Sequence, residues 1–327
     1  MNKALHQKLE SLRADYNKVR DRPFDHFYCP ILFRDEDVSL CKAHIVNQAF
    51  PNSARAWTVQ RKDVDNFYGA NFEADFVAMK YVDPQNHIAW DAIANKERRK
   101  LFKPSIQIDG EPVEYYDKSD KVPEQFTSIR FEDDITTTDL VLKMPTDEAL
   151  NKSQRNWEVV VQSDLRIPAL VTLLKAAHLT LFELIGYRYA LSPAGRFVGH
   201  DILGSFYLQN MNASKNTVIQ NAEHFFQEFA HMVLPVKPMP NNMRGTITDK
   251  MCLVCGRNTS LWATIIIVKT GESLNAVLLP AMDQPDSVAR FLAFLKDKNE
   301  RIEYRLYRYE NDRWLIESDF IECVWPK

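Results

Sequence analysis

The residues with the most chemistry between them lie in positions 29–75: Cys29, then Cys41-Lys42-Ala43-His44, then Arg61-Lys62-Asp63-Val64-Asp65-Asn66, with Gly69, Glu73 and Asp75 following. Their order is a histidine at the end of a strand, a loop of roughly twenty residues, and an asparagine at the mouth of a helix. These residue types suit hydrolysis of a phosphodiester. A histidine can take a proton from water for attack on phosphorus. A divalent metal held by acids, amides or a further histidine can stabilise the leaving oxygen and the phosphate charge. An asparagine near the loop and helix can fix the geometry or bind the metal.

The cysteines leave alternatives open. Cys41-x-x-His44 could be half of a metal site completed by Cys29 and an acid, or the thiols could be apolar filling between neighbouring strands. Cys252-Leu253-Val254-Cys255 is a single C-x-x-C with no downstream partner pair, so buried thiols are the ordinary reading there. His178 stands among apolar residues and reads as a hydrogen-bonded core histidine. Asp201, after His200, reads as a helix cap. The strand Tyr304-Arg305-Leu306-Tyr307-Arg308-Tyr309 alternates aromatic and basic residues, which suits either a solvated sheet face or contact with bases and phosphates.

The segment AHIVNQAF resembles the E-H-I-I-P stretch of the HNH endonucleases, and DVDNFYGANFE resembles the C-x-x-C-N-x-x-x-G helix start of that family. The resemblance implies a ββα-metal module with His44 as general base and Asn66 as the central asparagine. Ala43 stands where an acidic metal ligand often precedes the base. Lys62 and Asp65 stand where two zinc-knuckle cysteines are expected. What the resemblance implies is therefore a divalent ion (Mg²⁺ or Mn²⁺, with Zn²⁺ open) held by Asp63, Asp65 and Glu73, with Arg61 and Lys62 on phosphate. Cys29 and Cys41 are what remains for a structural metal. The implied partner is nucleic acid, DNA before RNA, in bacterial defence or mobile-element biology. An inactive HNH-like binding module is the competing expectation.

Several elements must position these groups. Leu5, Leu9, Leu12, Tyr16 and Val19 place an amphipathic helix in residues 1–22, either packed on the body or pairing two copies. Residues 23–95 would hold the ββα module. Residues 96–165 read as β-rich, with an Asp109-Gly110 hairpin turn and an exposed KERRK run at 96–100. Residues 166–236 are helical, beginning with an apolar segment around ALVTLLKAAHLTLFELI. Residues 237–327 alternate strand patterns with one helix, DQPDSVARFLAFLKDK, giving a small α+β domain. The whole is of the α+β class.

Composition excludes other functions. Only nine glycines occur in 327 residues, with no G-x-G-x-x-G or G-x-x-x-x-G-K-[ST], so glycine-cradled nucleotide phosphates are not expected. Net charge is −3, which gives no global basic field, and any nucleic-acid contact must be local. Five cysteines, an odd count, fit a reducing cytoplasm. The N-terminal residues lack the apolar core of a signal peptide, and no uninterrupted apolar run reaches membrane-spanning length.

Overall fold

The computed structural model describes residues 3–49, 56–79, 104–116, 121–124, 126, 128–132, 137–153, 155–161, 166–235, 251–255, 263–270, 273–282, 284–296, 301–310, 313–316 and 321–324. The KERRK run, the turns at 51–55 and 271–272, the linker at 236–242 and Asn311-Asp312 lie outside them. So do the side chains of Cys252, Cys255, Cys323 and the 304–309 stretch. The chain forms two compact units, one from residues 1–77 with 166–327 and the other from residues 78–165. Helices and antiparallel strands are mixed throughout, which makes it an α+β protein.

In the first unit, α1 (Lys3–Arg20) buries Leu5, Leu9, Leu12 and Tyr16, while Val19 at the end of the same stripe stays exposed. Asp15 accepts a hydrogen bond from the Tyr187 amide at 2.6 Å, and Lys8 pairs with Glu183 at 2.7 Å. The apolar face of α1 is thereby used within this unit. Strand β1 (Leu40–His44) pairs antiparallel with β2 (Trp57–Arg61), in register from Leu40 opposite Arg61 to His44 opposite Trp57. Helix α2 (Lys62–Tyr68) starts at once, a π-helical turn (Gly69–Glu73) continues it, and α3 (Ala74–Met79) ends the run. The residue capping α2 is Arg61, without a side-chain cap bond; Asp63 lies inside the first turn and accepts from the Val64 amide at 2.8 Å.

The second unit holds β3 (Pro104–Ile108), β4 (Glu111–Val113), β5 (Ile129–Glu132), β6 (Thr137–Leu140), α4 (Thr146–Ser153) and β7 (Trp157–Val161). Its sheet order is β4-β3-β7, with β5 and β6 as a separate pair. Asp109 and Gly110 both take positive φ, 53° and 80°, the conformation a two-residue type I′ hairpin turn needs. Ile106, Ile108, Val113, Leu140, Leu142 and Ala149 form its own small core.

The chain returns to the first unit through α5 (Arg166–Ile185), in which buried positions run round every face. This helix is long and apolar enough to cross a bilayer, and 83% of its apolar window is buried inside the protein. It ends at Gly186, whose φ of 73° suits a residue without Cβ and whose amide donates to the Phe182 carbonyl at 2.8 Å. Two single turns (Tyr187–Ala190 and Pro193–Arg196) lead to a π-helix (Phe197–Gly204), then α6 (Ser205–Asn210) and α7 (Lys215–Phe226). Asp201 lies within that π-helix, hydrogen-bonded to His200 at 2.8 Å, so it caps no helix start. A seven-stranded antiparallel sheet follows in the order β13-β12-β9-β10-β11-β8, with β14 also on β12. Its strands are β8 (Val233–Pro235), β9 (Met251–Cys255), β10 (Ala263–Thr270), β11 (Ser273–Pro280), β12 (Arg301–Glu310), β13 (Arg313–Ile316) and β14 (Ile321–Val324). Helix α8 (Ser287–Lys296) lies between β11 and β12 in sequence. One hydrophobic core runs from α1 through β2, α2 and α5 to β10, β11 and α8. The N-terminal module, helical middle and C-terminal α+β segment, expected as separate domains, therefore share a core.

Candidate functional site

The hairpin and helix bring the N-terminal candidates into one neighbourhood. Pairing with Trp57 fixes His44 at the last position of β1, and the buried Ile45 and Val46 anchor the chain beyond it. His44 is half-buried. Burial, and then the Lys42 charge, hold its imidazole below the ordinary histidine range, while Asp65 pulls the other way. The ring is thus neutral near pH 7 and able to accept a proton. Lys42 is exposed and rests its ammonium 4.8 Å from the centre of the Trp57 ring. Asn66 and Lys62 lie exposed on α2.

The three acids expected on a metal are held by side-chain cations. Lys175, on α5, donates to Asp65 Oδ1 at 2.9 Å and to Glu73 Oε1 at 2.6 Å. Its side chain is 3% exposed, against 27% for Asp65 and 13% for Glu73. Burial opposes its charge, but Glu73 and Asp65 outweigh burial and hold the ammonium above the ordinary lysine range. The Tyr68 ring lies 5.7 Å from the same nitrogen. Cys41 donates its thiol to Asp65 Oδ2 at 3.6 Å and is pushed up to about 12, by burial first and then by Asp65.

The π turn is what lets two acids eight residues apart reach one nitrogen. In an uninterrupted α-helix, eight residues leave side chains roughly 80° apart. One α turn of ~3.6 residues plus one π turn of roughly 4.4 makes eight, so Asp65 and Glu73 fall on one line.

A second charge cluster lies at the end of β2. Arg61 grips Asp63 with two nitrogens, at 2.7 and 3.1 Å, and also pairs with Glu36. Tyr207 donates to Asp63 Oδ2 at 3.1 Å. Burial raises the Asp63 carboxyl, but Arg61 and the Val64 amide bring it below the ordinary carboxylate range. Cys29 is fully buried, donates to Gln60 Oε1 at 3.3 Å, and is pushed up to about 11 by burial. Cys29 and Cys41, the pair named for a structural metal, turn their thiols to different partners, Gln60 and Asp65.

A divalent ion on Asp63, Asp65 and Glu73 does not fit these residues. Asp65 and Glu73 point at a buried ammonium, and Asp63 at a guanidinium. Among the described residues no group of three or more His, Cys, Asp or Glu side chains could hold a metal. Arg61, assigned to phosphate, is 9% exposed and taken up by two carboxylates. The structure does bring together His44, Cys41, Asp65 and Glu73, with exposed Lys42, Lys62 and Asn66 and the half-buried Trp57 around them.

Lys175 is the residue that sequence reading passed over. Its signal was there: a single lysine inside ALVTLLKAAHLTLFELI must find carboxylates if that segment is buried. His178, one turn along, matches its reading as a core histidine. It is fully buried, with Nδ1 3.0 Å from the Tyr189 hydroxyl and Nε2 3.1 Å from the Pro30 carbonyl, and burial lowers it to about 4.

No known protein family, curated protein or solved structure matches the chain.

Proposed function

We propose that the hairpin and helix at residues 40–73 form an HNH-like module that binds nucleic acid without a metal on Asp65 and Glu73. One observation carries this reading: the buried Lys175 ammonium sits between the two carboxylates, at 2.9 and 2.6 Å. Half of the positive charge that a divalent ion would supply is already provided by the chain, at the point where the two carboxylates converge. The same module offers exposed Lys42 over the half-buried Trp57 ring, with half-buried His44 at the strand end and exposed Lys62 and Asn66 on the following helix. An aromatic ring with cations beside it suits base stacking and phosphate contact. The free thiols of Cys29 and Cys41 suit a reducing cytoplasm.

Fluorescence anisotropy with labelled single-stranded DNA, duplex DNA and RNA tests the reading. Binding is expected to weaken with salt, to be indifferent to EDTA, and to fall at least roughly tenfold in Trp57→Ala, since stacking contributes ~1–3 kcal/mol per base. Failure to bind any of the three nucleic acids refutes it.

A second reading is an HNH-type endonuclease serving bacterial defence or mobile elements, with its metal held outside the Asp65–Glu73 pair. The neutral, partly desolvated His44 favours it, because a general base must be unprotonated. Cleavage of plasmid or RNA with Mg²⁺, Mn²⁺ or Zn²⁺ that disappears in His44→Ala would select this reading over the first.

A further inference from the structure

Magnesium and manganese sites commonly use one or two carboxylates, with water or phosphate oxygens in the remaining positions. Asp65 and Glu73 are such a pair, aligned by the π turn and converging on one point. At that point sits Lys175 Nζ. The ammonium cannot easily leave: its stem rises from the core helix α5 between the buried Leu174 and Ala176, and its side chain is 3% exposed. A long lysine usually reaches water with its charge. Here the charge is turned inward onto two acids from another segment of the chain. A dication beside this buried ammonium would meet strong repulsion in a low-dielectric setting.

We propose that Lys175 is a built-in counter-cation that keeps divalent metal out of the Asp65–Glu73 pair, and that replacing it with a neutral side chain opens that pair as a Mn²⁺ site. The inference rests on the same Lys175 contacts as the metal-free reading of the module. It goes further in naming the residue that excludes the metal and what its removal creates. Cys41 stands beside Asp65 as a protonated thiol and so contributes a hydrogen bond in place of a thiolate ligand.

The test uses the full chain, as wild type, Lys175→Met, and Lys175→Met with Glu73→Gln. Equilibrium dialysis against Mn²⁺ counts bound ion, and thermal melts with and without Mn²⁺ report stabilisation. Wild type is expected to hold no stoichiometric Mn²⁺ and to melt at the same temperature with or without it. Lys175→Met is expected to hold about one Mn²⁺ per chain and to melt higher in its presence, both effects vanishing with Glu73→Gln. Lys175→Gln replaces Lys175→Met where the latter fails to fold in metal-free buffer. A variant that folds only with Mn²⁺ supports the inference, and one that Mn²⁺ neither folds nor binds overturns it. One Mn²⁺ on wild type, removed by Glu73→Gln, also overturns it. Oligonucleotide binding by wild type in EDTA is a separate readout, so the nucleic-acid reading and the metal-exclusion inference can fail independently.

Discussion

Stability should fall as pH drops from neutrality to 5, and much of that fall should trace to one residue, His178. The ring is fully buried on α5, with the Tyr189 hydroxyl on Nδ1 and the Pro30 carbonyl on Nε2. The neutral tautomer satisfies both partners: Nε2–H donates to Pro30 and Nδ1 accepts from Tyr189. Burial lowers its pKa from 6.5 to about 4. Between those values the unfolded chain binds a proton that the native chain does not, so stability rises with pH across this window and is lost as pH falls through it. At 1.36 kcal/mol per pH unit, the full effect approaches about 3 kcal/mol, and about 2 kcal/mol of it falls between pH 7.5 and 5. Urea unfolding of wild type and His178→Gln at several pH values between 5 and 7.5 isolates it, because the other titrating groups are common to both proteins. His178→Gln should start less stable at pH 7.5 and lose about 2 kcal/mol less on going to pH 5. Parallel pH profiles for the two proteins would refute a buried neutral His178.

Lys175→Met in metal-free buffer should destabilise the fold by about 3–5 kcal/mol, the usual result of removing one partner from a buried ion cluster. Adding Asp65→Asn and Glu73→Gln should recover part of that loss, read as a rise in the urea midpoint at unchanged slope. Gly186→Ala should cost about 2 kcal/mol or more by the same measurement. Its φ is +73°, and an added Cβ would lie 2.1 Å from Asp15 Oδ2, the acceptor of the Tyr187 amide.

The parts of the fold legible in the sequence were those with a short-range cause. Short continuous apolar runs marked β10 and β11, and the stripe Leu5, Leu9, Leu12, Tyr16 marked α1. Asp109-Gly110 marked its hairpin through a conformation that glycine and aspartate tolerate. The strand ending at His44 and the helix carrying Asn66 were readable for the same reason, but β2 lies inside the stretch read as a loop. What the sequence hid were long-range pairings: Lys175 lies 110 residues from Asp65 and 102 from Glu73. Asp65 and Glu73 could be read as metal ligands because nothing in their own segment points to the distant lysine that takes them up. The π turn was equally hidden. No simple residue signal marks a one-residue widening of a helix, yet it decides that Asp65 and Glu73 share a side. The division into domains misled for a related reason, since periodicity reports which face is apolar and not which distant segment covers it.

Charge at the module follows from these pairings and narrows where a polyanion could lie. Asp65 and Glu73 share one ammonium and keep one negative charge, while Asp63 and Glu36 share the Arg61 guanidinium and Arg34 adds a second cation on Glu36. Arg61 and Lys175, the two buried cations, therefore offer nothing to phosphate. Attraction must come from exposed Lys42 and Lys62, and the negative charge left on the Asp65–Glu73 pair offsets part of it. A surface balanced this closely has little long-range pull on nucleic acid. Affinity would then depend on contact at Trp57, which explains why the aromatic substitution is the sharper test of the binding reading than any single charge reversal. The same balance constrains a nuclease: a metal arriving with the substrate phosphate would have to find ligands other than Asp63, Asp65 and Glu73, and His44 is the one basic group of the original constellation still unprotonated and within reach of solvent.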